Sequence, residues 1–222
     1  NIDIEGPLTK DKTAVLRVFA KMFYNHCGFY GDDLKTAKLE RFIEKQGKTQ
    51  QFREAFEKVN GAPWTETRDS FAFFEDDIVS VLQSTLGMSE QAARNWFNGE
   101  ETNELSIAQL VADIQEYVDG KGKDFRLLFM VDEVGQYIGD DGDLMINLQS
   151  LVEEIGIRCH GKVWVMVTSQ EAIDSVVHIT GNDFSKIQGR FNTRLSLSSS
   201  SVDEVIKKRV LAKTDAADQL LR

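Results

Sequence analysis

Asp132 and Glu133 follow directly on five apolar residues, Leu127 to Val131, and lead into a loop rich in Gly and Asp. A strand that ends in two adjacent carboxylates has the groups for magnesium-dependent nucleotide hydrolysis. The first, Asp132, would hold Mg2+ largely through water, because this ion gives up its hydration shell reluctantly. The second, Glu133, would polarise the attacking water, the positioning role that phosphoryl transfer requires. The alternative is a solvated strand end with no chemistry.

Two later stretches bear on the choice. The next apolar run ends in Thr168, Ser169 and Gln170, where a polar side chain can touch the attacking water or the γ-phosphate. Arg190 and Arg194 then stand just before and at the start of a short predicted strand. From there an arginine can reach a neighbouring subunit's nucleotide and neutralise transition-state charge. A surface salt bridge is the other role open to each arginine. An apolar run closed by Asp-Glu is the Walker B arrangement of P-loop ATPases. The phosphate loop itself, G-x-x-x-x-G-K-[ST], does not occur. Its nearest approach is "GPLTKDKT", residues 6–13, with Asp11 where the second glycine belongs. An aspartate there would oppose bound anions, so the stretch reads as a loop and helix start, and any genuine phosphate loop would lie upstream of Asn1. Asp141, Gly142 and Asp143 do not form a calcium loop, because Met145 and Ile146 fall where an oxygen ligand and a glycine are needed. A turn with an N-cap at Asp143 is expected instead.

The elements that would position these groups differ between the two halves. Residues 9–120 are almost continuously helical in pattern. Val15, Val18, Phe19, Met22 and Phe23 repeat at threes and fours, as do Ile107, Leu110, Val111, Ile114 and Val118. Between them, stripes on Leu39–Ile43, Phe52–Val59 and Ile78–Leu86 end near Gly47, Gly61 and Gly87, and Ser89 can cap a helix carrying Trp96 and Phe97. From residue 121 strands and helices alternate. "FRLLFMV" and "KVWVMVT" are uninterrupted apolar runs, as in strands covered on both faces. Leu144, Leu148, Leu151, Val152 and Ile155 between them predict a helix ending at Gly156. "RLSLS" predicts a last short strand, and Ser201 and Glu204 open a helix in capping-box spacing. The order implies a parallel sheet with crossover helices. The predicted organisation is a strand and loop over 1–8, a helical insertion over 9–120, an α/β core over 121–200, and C-terminal helices over 201–222.

Composition removes several alternatives. A net charge of −10 argues against direct grip on a nucleic-acid backbone, so DNA contact would be indirect. The basic cluster Lys207, Lys208, Arg209 and Lys213 reads as a solvated face. No apolar run reaches the roughly 20 residues of a membrane span. Cys27 and Cys159 have no metal-ligand spacing and read as reduced thiols of a cytoplasmic protein.

"RLLFMVDEVGQYIGDDGDLMINLQSLVEEIG", "VWVMVTSQEAID" and "GRFNTRLSLSSSSVDEVIKKRVL" resemble the large P-loop ATPase of bacterial BREX phage-defence systems, the BrxC/PglY type. In the helical half, "KTAVLRVFAKMFY", "LERFIEKQGK" and "LGMSEQAARNWF" are similar too, so the likeness spans nearly the whole chain. The resemblance implies an internal piece of an AAA+-like, ASCE-type nucleotide-binding domain that uses ATP and Mg2+. It implies Asp132 at the magnesium site, Glu133 as catalytic glutamate, a sensor among Thr168, Ser169 and Gln170, and Arg190 as arginine finger, with Arg194 as a further nucleotide contact. The implied partners are further copies of the protein and other defence subunits. Without the phosphate loop and its strand, residues 1–222 alone are expected not to bind ATP. Two other readings of the residues stand beside this one: an interaction scaffold with relic Walker B carboxylates, and an initiator-like AAA+ switch that retains nucleotide with little turnover.

Overall fold

The computed structural model of the chain describes residues 13–98, 105–134 and 142–168, and beyond them Phe191, Thr193, Leu195 and Ile206. The chain forms two compact units, Asn1–Arg190 and Phe191–Arg222. Every element named below belongs to the first. The expected opening strand and the loop at 6–12 lie outside the described residues. So do all but single residues of the expected last strand and C-terminal helices.

The described elements are mostly helical. Helices α1 (Ala14–His26), α2 (Leu34–Lys45), α3 (Thr49–Asn60), α4 (Trp64–Thr67), α5 (Glu75–Leu86), α6 (Glu90–Asn98) and α7 (Ile107–Asp119) precede strand β1 (Leu127–Val131). A short 3-10 helix, Arg68–Phe73, joins α4 to α5. Helix α8 (Gly142–Arg158) and strand β2 (Val163–Val167) follow. Several helix ends form where the sequence predicts them. Ser89 Oγ accepts the Ala92 N–H, and Gly61 and Gly87 take left-handed conformations after α3 and α5. Asp33 and Ser106 provide caps for α2 and α7 that periodicity does not mark. Gly87→Ala is expected to lower unfolding stability by about 1 kcal/mol in a urea titration, because a Cβ is unfavourable at φ +66° although space is open around it.

Two differences from the predicted helices have local causes. Helix α8 continues through Gly156 to Arg158, since an exposed glycine is only mildly unfavourable in a helix. The reversal comes later, where His160 and Gly161 both take positive φ and the Lys162 N–H bonds Cys159 O at 2.9 Å. Asp143 lies within the first turn of α8 rather than at its N-cap, where its charge still favours the positive end of the helix dipole.

Buried apolar groups gather in two places. Leu39, Ile43, Phe52, Phe56, Ile78 and Leu82 surround Trp64, whose ring meets Phe52 and Phe56 edge-on at 5.2 and 5.0 Å. This group holds α2 to α6 together. Helices α1 and α7 instead pack with α8, and Phe19 of α1 touches Phe129 of β1 at 5.2 Å between ring centroids. The helical region is thus divided, its first and last long helices supporting the α/β part. Arg41 of α2 links the two by pairing with Asp113 and Glu116 of α7 at 2.7 and 2.5 Å.

Strands β1 and β2 are parallel neighbours in register from Leu127↔Val163 to Val131↔Val167. A helix connects them, and the α/β class expected from the sequence is observed in this β1–α8–β2 unit. Burial departs from expectation. Leu127, Phe129 and Val131 face the core, whereas Leu128, Met130, Trp164 and Met166 are exposed, with Met130 at 64% and Trp164 at 63%. Among the described residues only one sheet face is covered, because the described helices that touch the strands lie on that side. No helix of the described residues is long and apolar enough to cross a membrane.

Candidate functional site

In a parallel pair, residues that follow the two strands at matching positions emerge side by side. Val131 pairs with Val167, so Asp132 and Thr168 leave the same end of the sheet together. Two backbone bonds hold that end closed: the Thr168 N–H donates to Val131 O and the Val134 N–H donates to Thr168 O, each at 3.0 Å. Val134 is buried and anchors the chain just beyond the carboxylates. Asp132 and Glu133 are both exposed at the C-terminal end of β1, the side where open parallel sheets bind their ligands.

The polar contacts around Asp132 form a small closed set. The Thr168 hydroxyl donates to Asp132 Oδ1 in a very short contact. The Glu133 N–H lies 3.1 Å from Asp132 Oδ1 and 3.1 Å from Thr168 Oγ1, a bifurcated donation. Both contacts of Asp132 among the described residues fall on Oδ1, which leaves Oδ2 as the oxygen for any further partner. Glu133 has φ 55°, a left-handed conformation unusual for a residue with a long side chain. That backbone state costs roughly 1–2 kcal/mol, and the one shared donation from its N–H offsets part of the cost at about 0.5–1.5 kcal/mol.

The site fits a magnesium ion in one respect that can be tested on its donors. Among the described residues no group of three or more His, Cys, Asp or Glu side chains converges. A divalent ion here would rest on one or two carboxylates with water and phosphate oxygens completing its shell, which is how Mg2+ is commonly held. Asp132, exposed and with its contacts among the described residues on Oδ1 alone, has the chemistry for that role.

Of the other predicted site residues, Ser169, Gln170, Arg190 and Arg194 lie outside the described residues. The hydroxyl of Thr168, the described member of the expected contacts to water or phosphate, bonds Asp132 and the Glu133 N–H. The free thiols of Cys27 and Cys159 are each pushed up to about 11, chiefly by burial. They stay protonated near neutral pH and are not activated nucleophiles.

Two buried polar centres escape a reading by periodicity. Glu40 accepts from the Tyr30 N–H at 2.6 Å, Trp64 Nε1 at 2.7 Å and Arg68 Nη1 at 3.0 Å. Asp113 accepts from Tyr24 Oη, Gln109 Nε2 and Arg41 Nη1 at 2.8, 3.0 and 2.7 Å. Burial, followed by the charge of Asp113, raises the Tyr24 phenol well above its ordinary range. The available signal was a carboxylate on the apolar side of a helix, Glu40 beside Leu39 and Ile43 and Asp113 beside Val111 and Ile114. Both centres tie helices together and neither opens on a cleft shown among the described residues.

No protein-family model matches the chain, and no solved structure shows a significant match to it.

Proposed function

We propose that this chain is the Walker B and sensor part of a P-loop ATPase, of the type that serves BREX phage-defence systems. The observation that carries the catalytic part of this reading is the grouping of Asp132, Glu133 and Thr168 at the C-terminal ends of two adjacent parallel strands. Strand pairing of this kind brings an acidic strand end and a polar strand end to one rim, as ATP hydrolysis needs. The link to phage defence rests on the sequence resemblance alone.

In this reading Asp132 Oδ2 faces the nucleotide's metal through water, and Glu133 accepts a hydrogen bond from the attacking water and draws its proton. Bound magnesium would supply charge neutralisation on the transferred phosphoryl group. Arg190 would add positive charge at a neighbouring subunit's site, which makes self-assembly part of the proposal. ATP binding also requires a phosphate loop, a motif that residues 1–222 lack. Action on DNA would pass through other subunits, given the net charge of −10.

The scaffold reading draws on a different observation, the exposed apolar sheet face of Leu128, Met130, Trp164 and Met166. Calorimetry separates the two. Residues 1–222 alone are expected to show no ATP affinity, and a protein joining them to its phosphate loop is expected to bind ATP in a magnesium-dependent way. In that longer protein Asp132→Ala should weaken the magnesium requirement's apparent affinity about 10–100-fold. Magnesium-independent binding, unchanged by Asp132→Ala, would favour the scaffold.

A further inference from the structure

We infer that Thr168 is a positioning residue for the two carboxylates rather than a contact to the nucleotide. The consequence for turnover rests on the ATPase reading, whereas the positioning itself does not. A threonine hydroxyl has one hydrogen to donate and can accept in return. Here the hydrogen goes to Asp132 Oδ1, and the oxygen accepts the Glu133 N–H at 3.1 Å. The only hydrogen that could be donated to a phosphate oxygen is thus already engaged.

Two effects follow from one hydroxyl. Holding Oδ1 restricts the orientation of the Asp132 carboxylate and leaves Oδ2 for a further partner. Holding the Glu133 N–H pins the backbone of a residue at φ 55°, and that φ sets the direction in which the glutamate side chain leaves the chain. The backbone bonds on either side, Thr168 N–H to Val131 O and Val134 N–H to Thr168 O, locate the threonine but do not orient either carboxylate. Those bonds would survive loss of the hydroxyl. They therefore provide internal controls.

The test is amide hydrogen exchange by NMR on residues 1–222, without nucleotide, for the native chain, Thr168→Val and Thr168→Ser. In the native chain the Glu133 amide should be protected even though the residue is exposed. In Thr168→Val it should exchange about tenfold faster, the worth of one such hydrogen bond, while the amides of Thr168 and Val134 keep their rates. Thr168→Ser should restore protection. An unprotected Glu133 amide in the native chain, or equal protection in Thr168→Val, overturns the inference. Should Thr168→Val fail to fold, Thr168→Ala supplies the comparison without the hydroxyl, with the same expected and overturning outcomes.

A kinetic arm addresses the role in turnover. In the longer protein with its phosphate loop, Thr168→Val should lower kcat with KM for ATP unchanged, and Thr168→Ser should recover kcat. A raised KM with kcat intact would mean that Thr168 touches the nucleotide, which overturns the inference. If the exchange results hold but the native longer protein hydrolyses no ATP, the positioning role stands and the ATPase reading fails.

Discussion

Glu133→Gln, in a longer protein that carries a phosphate loop, is expected on the ATPase reading to lower ATP turnover by a factor on the order of 10²–10⁴ while ATP remains bound. The amide has nearly the size of the carboxylate but cannot draw a proton from water. Asp132 keeps both its contacts, Thr168 and the Glu133 N–H, because neither depends on the Glu133 side chain. Binding and turnover should therefore separate. Phosphate release in the steady state measures the loss, and retention of labelled ATP on a filter measures the binding. Turnover within about tenfold of the native protein would assign the water to another group and remove Glu133 from the mechanism.

Glu40→Leu is expected to destabilise the fold by about 3–5 kcal/mol, the usual cost of removing one member of a buried charged network. Glu40 is 7% exposed and is shared by Tyr30, Trp64 and Arg68, which come from the segment after α1, from α4 and from the 3-10 helix. The leucine would leave the Trp64 indole N–H and the Tyr30 N–H without acceptors and the Arg68 guanidinium without its pair. Urea unfolding followed by Trp fluorescence provides the measurement. Trp64→Phe removes one of the orphaned donors, so the double variant should be less destabilised than the sum of the two single variants. A loss below 1 kcal/mol in Glu40→Leu would show that water satisfies these donors and that the network is not a stabilising centre.

These two residues also mark how differently their roles can be read. Glu133 announces itself because an apolar run of strand length ends in acid, a pattern that survives without any knowledge of what lies beside it. Glu40 does not, because a glutamate on a helix is ordinarily solvated. Only the meeting of α2 with Trp64 and Arg68 makes it a buried acceptor.

The sequence by itself determined the local features. Apolar repeats at threes and fours placed α1, α3, α5 and α7, glycines marked where α3 and α5 stop, and two apolar runs marked β1 and β2. Such features are short-range, set by side-chain periodicity and by the backbone states each residue tolerates. Tertiary structure decided what those elements do to one another. Strand register brought Thr168 beside Asp132 across 36 positions of chain, and that pairing put the threonine hydroxyl on Asp132 and on the N–H of Glu133, a residue in a left-handed state. The same packing separated α1 and α7 from the helices around Trp64 and left one face of the sheet apolar and exposed. Contacts distant in sequence depend on how whole elements share buried surface, and no local pattern encodes that choice.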